Sequence, residues 1–193
     1  MKPDSAAMEE KIIAAAIACI EQYGMQGATN RKIAKIAGVN SAAINYYFRN
    51  KEALIARCMQ VTLANTFNWE AVVSLPGSSA NERCSAVFNE FIQAACRLPG
   101  VTRALFFDLL TAGSTASPAV SRLNQFMAQL AQDLQAKGAG LDEEELHLAT
   151  AQIAAAALLM ALAPRIFEQC FDLDMNDPDT RQVFVQRLVD RLL

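Results

Sequence analysis

The stretch that decides the fold runs from Thr29 to Lys51 and reads TNRKIAKIAGVNSAAINYYFRNK. Thr29 is a good N-cap for a short helix carrying Ile33, Ile36 and Ala37 on one side, since its hydroxyl can accept one of the orphan backbone N–H groups of the first turn. Gly38 breaks that helix four residues after Ala34. Two helices that cross closely need a small residue at the contact, and the sharp turn between them needs glycine where φ is positive. Asn40 or Ser41 then caps a second helix running through Tyr46, with Val39 and Ile44 expected inward against Ile33 and Ile36. Ser41, Ala42, Ala43 and Asn45 are left on its outer side. Side chains this small let a helix sit deep in a major groove, where an asparagine offers both a donor and an acceptor to an adenine edge.

Outward from this stretch, apolar residues keep helical spacing almost throughout. Before it, Ile13, Ile17 and Ile20 mark a first helix over about 5–23, closed by Tyr23-Gly24, glycine being the usual left-handed terminator. After it, Asn50 caps a fourth helix from Lys51 to about Trp69, and Leu75-Pro76-Gly77-Ser78-Ser79 is a break. Helices five and six are separated at Leu98-Pro99-Gly100. Ser117-Pro118 opens a seventh, an N-cap followed by proline at the first helical position. Asp142 with Glu145 is a carboxylate version of the capping box for a long, alanine-rich eighth helix, expected to bend at Pro164. Asp177-Pro178 starts the ninth. The expected class is all-α with about nine helices, in two parts: a helix-turn-helix head over residues 1–57 and a larger helical body over 58–193.

Composition and charge agree with that class. The 193 residues are 53% hydrophobic and 19% charged, with only eight Gly and six Pro, which excludes a disordered chain. Residues 1–60 carry eight Lys/Arg against five Asp/Glu, whereas residues 61–193 carry nine against fifteen. A basic end on an acidic body suits contact with a polyanion. The start, Met1 to Ser5, lacks the apolar run of a secretion signal, and the longest stretch free of strongly polar residues, Ile153–Pro164, is short for a membrane span. A cytoplasmic protein without a membrane partner is expected. Cys19, Cys58, Cys84, Cys96 and Cys170 are odd in number, never form C-x-x-C, and each lies in apolar helical context. They read as small core hydrophobes.

Enzyme readings fail on inventory. His147 is the only histidine, and neither a G-x-S-x-G elbow nor a phosphate-binding G-x-x-x-x-G-K-[ST] loop is present. Glu144 and His147 have the E-x-x-H spacing of di-iron bundles, but such sites need two of these motifs and two further glutamates. No metal, no cofactor and no catalytic residue are expected.

Residues 10–57, about a quarter of the chain, resemble the N-terminal domain of TetR-family transcriptional regulators. The matching positions are Thr29, Ile33, Ala34, Ala37, Gly38, Val39, Ile44, Tyr47, Phe48, Lys51, Glu52 and Leu54. Asn45 departs from the pattern by standing where the family usually has tyrosine, with Tyr46 and Tyr47 directly after it. The resemblance implies that Thr29 and Asn30 meet phosphate and that Arg31 reaches phosphate or a base edge. It further implies that Ser41, Ala42, Ala43 and Asn45 face the groove floor while Tyr47 and Lys51 grip the backbone. Tyr46 reads equally as core or as contact, and Asn45 as a base reader or a phosphate ligand.

For the body, the resemblance implies a cavity for a small apolar or amphipathic effector, with Phe88, Phe91, Phe106, Phe107, Phe126, Met127, Gln152 and Met160 as candidate lining. The plain alternative is that these residues fill a core. It also implies a homodimer through the last two long helices, with Leu158, Leu162, Ile166, Phe184 and Leu188 at the interface; burial within one chain is the alternative. The function implied is a DNA-binding regulator, a repressor released from a pseudo-palindromic double-stranded operator by its effector. The rival is a DNA-binding architectural protein of the same fold controlled by a protein partner.

Overall fold

In the computed structural model, which describes residues 3–193, each turn of the quoted stretch forms where its capping residue stands. α1 spans Pro3–Gly27, interrupted at Gly24, whose φ of 70° and ψ of 170° are not helical. α2 spans Asn30–Ala37, capped by Thr29 and closed by Gly38 in the left-handed region. α3 spans Ser41–Phe48, two residues beyond the expected end, and Asn40 is its cap. α4 spans Lys51–Thr66 from the cap Asn50.

The body follows with α5 (Trp69–Val73), α6 (Ala80–Arg97), α7 (Pro99–Leu105), α8 (Phe107–Ala112) and α9 (Pro118–Ala136). It closes with α10 (Glu143–Leu162), α11 (Glu168–Phe171) and α12 (Pro178–Leu192). The nine expected helices are all present among the described residues, joined by three short pieces. α5 forms because Asn68 recaps the chain after α4. The expected sixth helix is two, broken at Phe106. The expected bend at Pro164 is instead a stop: α10 ends at Leu162, and Ala163, pushed out of helical geometry before proline, has φ −141° and ψ 71°. Ile166 and Phe167 therefore lie in the connection before α11, outside any long helix. At the other end of α10 only the Asp142 half of the capping box is made.

Two hydrophobic cores organise these helices. One gathers Ile12, Ile20, Ile33, Ile44, Phe48 and Leu54 from α1 to α4, and takes Val101 from α7. The other packs α6, α9, α10 and α12 around Phe88, Ile92, Leu130, Leu134, Ile153 and Val185. α4 belongs to both, giving Leu54 and Cys58 to the first and Leu63 to the second. Ile36 does not point inward as expected; it is 44% exposed, one step off the buried stripe of Ile33, Ala34 and Ala37. α10 is the described helix whose length and mean hydropathy of 1.5 would suit a membrane span. Its Leu146, Ile153, Ala157 and Met160 stripe is buried in the second core.

Buried polar groups pin the body's ends. Arg83 of α6 donates to the Val72 carbonyl and lies 3.4 Å from Asp133 of α9. Arg181 of α12 reaches Asn89 Oδ1 at 3.2 Å and the Met175 carbonyl at 2.8 Å. Both arginines are almost fully buried, so losing a partner would leave a buried N–H donor of a charged group unsatisfied.

Candidate nucleic-acid interface

α3 presents one continuous face to solvent. Ser41, Ala42, Asn45 and Tyr46 are exposed, and Tyr46 is 81% so. Tyr46 is therefore not a core residue. Ala43 is half-buried, turned to the flank of that face. Tyr47 is half-buried against the first core, and its ring meets that of Tyr46 edge-on at 5.1 Å. Because α3 buries only Ile44 and Phe48 completely, its other side is free along its whole length.

The N-terminus of α2 lies beside this face. Thr29 and Arg31 are exposed there and Asn30 is half-buried. Asn30 Nδ2 points at Asn45 Oδ1 across 3.5 Å, joining the two helices by their polar side chains. This pairing was not legible in the sequence, where the two residues stand fifteen positions apart. Lys51 is half-buried at the first position of α4. Lys35 and Arg49 are exposed. Lys32 is not simply a solvated charge: its ammonium lies 4.0 Å above the Tyr23 ring and donates to the Gly27 carbonyl at 3.0 Å. It therefore staples the end of α1 to α2, a role visible only after folding.

The candidate effector residues are not brought together around one cavity. Phe88, Phe106, Phe126 and Met160 are buried in the second core, with Phe91 packed against it. Phe107 is exposed and lines a cavity of about 590 Å³ between α1, α4 and the α7–α9 segment. Met127 lines a separate cleft of about 440 Å³ between α9 and α10, beside His147 and Leu158. Gln152 is exposed and turned away from the core. No group of three or more metal-ligating side chains occurs among the described residues.

Of the dimer candidates, Leu158, Leu162, Phe184 and Leu188 are half-buried at the edge of the second core, and Ile166 is 48% exposed. Leu148 and Leu159 of α10, Phe171 of α11 and Val183 of α12 are exposed as well. The cysteines divide: Cys19, Cys58 and Cys84 are buried, Cys96 is half-buried, and Cys170 is exposed on α11, contrary to the expectation of a core position.

α2, α3 and the first half of α4 lie within a segment that matches a family model. Residues 12–58 match that of the bacterial regulatory proteins, tetR family. Residues 12–58 form a tetR-family domain. Two relatives match over the same part of the chain. One is the HTH-type transcriptional dual regulator CecR of Shigella flexneri, 52% identical over 52 residues. The other is the HTH-type transcriptional regulator BetI of Pseudomonas fluorescens, 40% identical over 50 residues. These stretches cover 27% and 26% of this chain and 23% and 25% of the relatives, so the chain matches about a quarter of their length.

The fold beyond the tetR-family head is shared as well. A transcriptional regulator from Rhodococcus sp. superposes with a TM-score of 0.70 at 20% identity, over 96% of this chain and 95% of that one. FadR from Bacillus subtilis, solved in complex with stearoyl-CoA, superposes with a TM-score of 0.66 at 18% identity, over 95% and 96%. At these identities the likeness is one of architecture.

Proposed function

We propose that this chain is a sequence-specific DNA-binding transcriptional regulator, working as a homodimer and released from its operator by a small apolar or amphipathic molecule. The observation that carries the reading is the free face of α3, where Ser41, Ala42 and Asn45 present small and hydrogen-bonding groups beside the exposed Thr29 and Arg31. In this reading Ser41, Ala42, Ala43 and Asn45 meet base edges, while Thr29, Asn30, Tyr46, Tyr47 and Lys51 hold phosphates and fix the register. Arg31 serves either. Residues 1–57 act as the reading head and 58–193 as the control and dimerisation body.

Repression is the simplest output of such a device. A ligand that binds one conformation of the dimer better than the other shifts the spacing of the two heads, and by no more than its differential affinity allows. The exposed apolar surface of α10 and α12 supports pairing of two copies, and paired heads match a pseudo-palindromic operator. The stearoyl-CoA bound by the FadR of like fold supports an apolar or amphipathic effector. The role calls for no catalysis and no cofactor, and it belongs in the cytoplasm.

Selection of preferred sequences from a random double-stranded library tests this directly. The expected result is an inverted repeat with half-sites about one helical turn apart. Retention of DNA without any preferred sequence would sink the regulator reading.

A further inference from the structure

The cavity of about 590 Å³ at the junction of head and body belongs to neither core alone. One wall is a face of α4 on which Glu52, Ile55, Met59 and Leu63 recur at helical spacing, a run of roughly 17 Å at 1.5 Å per residue. The facing wall comes from the body, with Leu105 and Phe107 at the α7–α8 break and Ala119 at the start of α9. Met25 closes the space from the end of α1. Its volume lies in the range of small-molecule sites, and its walls are mainly apolar with a few polar groups, as such sites are.

Its charges decide what would fit. The ionisable side chains lining it are Lys51, Glu52 and Asp108, a net charge of −1. Glu52 stands on the α4 wall and Asp108 on the α8 wall, so a carboxylate is contributed from each side, while Lys51 sits at one end, on the first residue of α4. None of the three belongs to an ion pair among the described residues. An anionic headgroup would meet two carboxylates for one ammonium. A cation would meet the same three groups with two attractions against one repulsion, and with the Phe107 ring and the Met25 and Met59 thioethers as polarisable neighbours.

We propose that this junction cavity binds lipophilic organic cations, single-chain amines or quaternary ammonium compounds, with the chain along α4 and the charge between Glu52 and Asp108. Such a ligand touches α4, which the two cores share, and α8 and α9 of the body at once, so it biases their relative position. The proposal deepens the effector reading above and rests on it only for the regulatory consequence. Binding itself is measured without DNA.

Calorimetric titration of the full chain with decyltrimethylammonium, kept below its micellar concentration, is compared with titration by decanoate. One decyltrimethylammonium per chain is expected, bound at least about five-fold tighter than decanoate. Asp108→Asn should weaken it about five-fold, the scale of one partly exposed charge pair, with no change in melting temperature because Asp108 is exposed. Ala104→Phe, which fills the cavity, should abolish binding; should it lower the melting temperature, Asp108→Asn decides alone. Decanoate binding as tightly as the cation, a cation affinity unmoved by Asp108→Asn, or no uptake of the cation would each overturn the proposal. Cation binding by a chain that selects no DNA sequence would overturn the regulator reading and leave the cavity's ligand class standing.

Discussion

Glu21 Oε2 accepts the backbone N–H of Val101 at 3.0 Å, so a carboxylate of the head caps a helix of the body. α7 has no side-chain cap of its own at Leu98, and Glu21 supplies one of the acceptors its first turn lacks. Between the two lies Gly100, packed so closely that a Cβ there would stand 2.8 Å from the Glu21 carbonyl oxygen. Val101 is itself buried in the head's core. Head and body are thus docked at this point by a hydrogen bond, a close backbone approach and an apolar plug, which any change in head orientation must respect.

Glu21→Ala should cost about 1–3 kcal/mol, the usual loss when a charge-assisted hydrogen bond is removed from a partly buried donor. Glu21→Gln keeps an acceptor and should cost less. Gly100→Ala should destabilise by about 1–3 kcal/mol through the clash with the Glu21 backbone. Denaturant unfolding measures all three, and a Gly100→Ala chain as stable as the parent would mean that this joint yields freely.

The reading face divides into register and recognition. Lys51→Ala should weaken binding to operator and unrelated DNA alike and lower the log–log salt slope by about one. Asn45→Ala should relax preference at one base pair per half-site by about 1–3 kcal/mol with little change in slope. Asn30→Ala should loosen the same base pair, because Asn30 Nδ2 orients the Asn45 carboxamide. Unchanged preferred bases in both asparagine variants would make Asn45 a phosphate ligand.

Leu159 on α10 and Val183 on α12 are 44% and 52% exposed, so glutamate at either position leaves the core intact. Leu159→Glu and Val183→Glu should convert a dimer at micromolar concentration into a folded monomer in sedimentation. Phe184→Glu tests the same surface at a half-buried position. A dimer that survives all three has its interface elsewhere.

Stability in acid should depend on two capping carboxylates. Hydrogen bonds from Ser78 and Ser79 hold Glu82 below the ordinary carboxylate range, and the Thr180 hydroxyl and N–H do the same for Asp177. A group with a lowered folded pKa stabilises the fold above its ordinary value, and that contribution disappears as pH falls through the lowered one. Unfolding midpoints should therefore drop below about pH 4.5, and Glu82→Gln with Asp177→Asn should flatten the decline. A parent curve that is flat from pH 6 to 3 would exclude this.

Thiol reactivity should follow burial. Desolvation pushes the Cys58 and Cys84 thiols up to about 12, leaving almost no thiolate at neutral pH. A disulfide reagent at pH 7 should label the exposed Cys170 fast and reach Cys58 and Cys84 only on unfolding. Rapid labelling of Cys58 would reveal opening of the α1–α4 packing.

The candidate interface was legible because its signals are local. A cap, a left-handed glycine and a 3.6-residue apolar period act within a few positions, and Thr29, Gly38, Asn40 and Asn50 all perform where they stand. The effector lining was not legible. Aromatic content says that Phe88, Phe106 and Phe126 are apolar, but only their neighbours decide that they fill a core while Phe107 borders a cavity.

From the sequence alone come the all-α class, the nine principal helices, the basic head and the helix-turn-helix, since caps, turns and periodicity are short-range properties of the chain. The tertiary structure alone decided which faces of those helices remain free. It exposed Tyr46 and Ile36 and brought Asn30 to Asn45. It also set Glu21 against Val101, eighty positions away. Those outcomes depend on which residues from distant segments arrive at the same place, and no local periodicity encodes that.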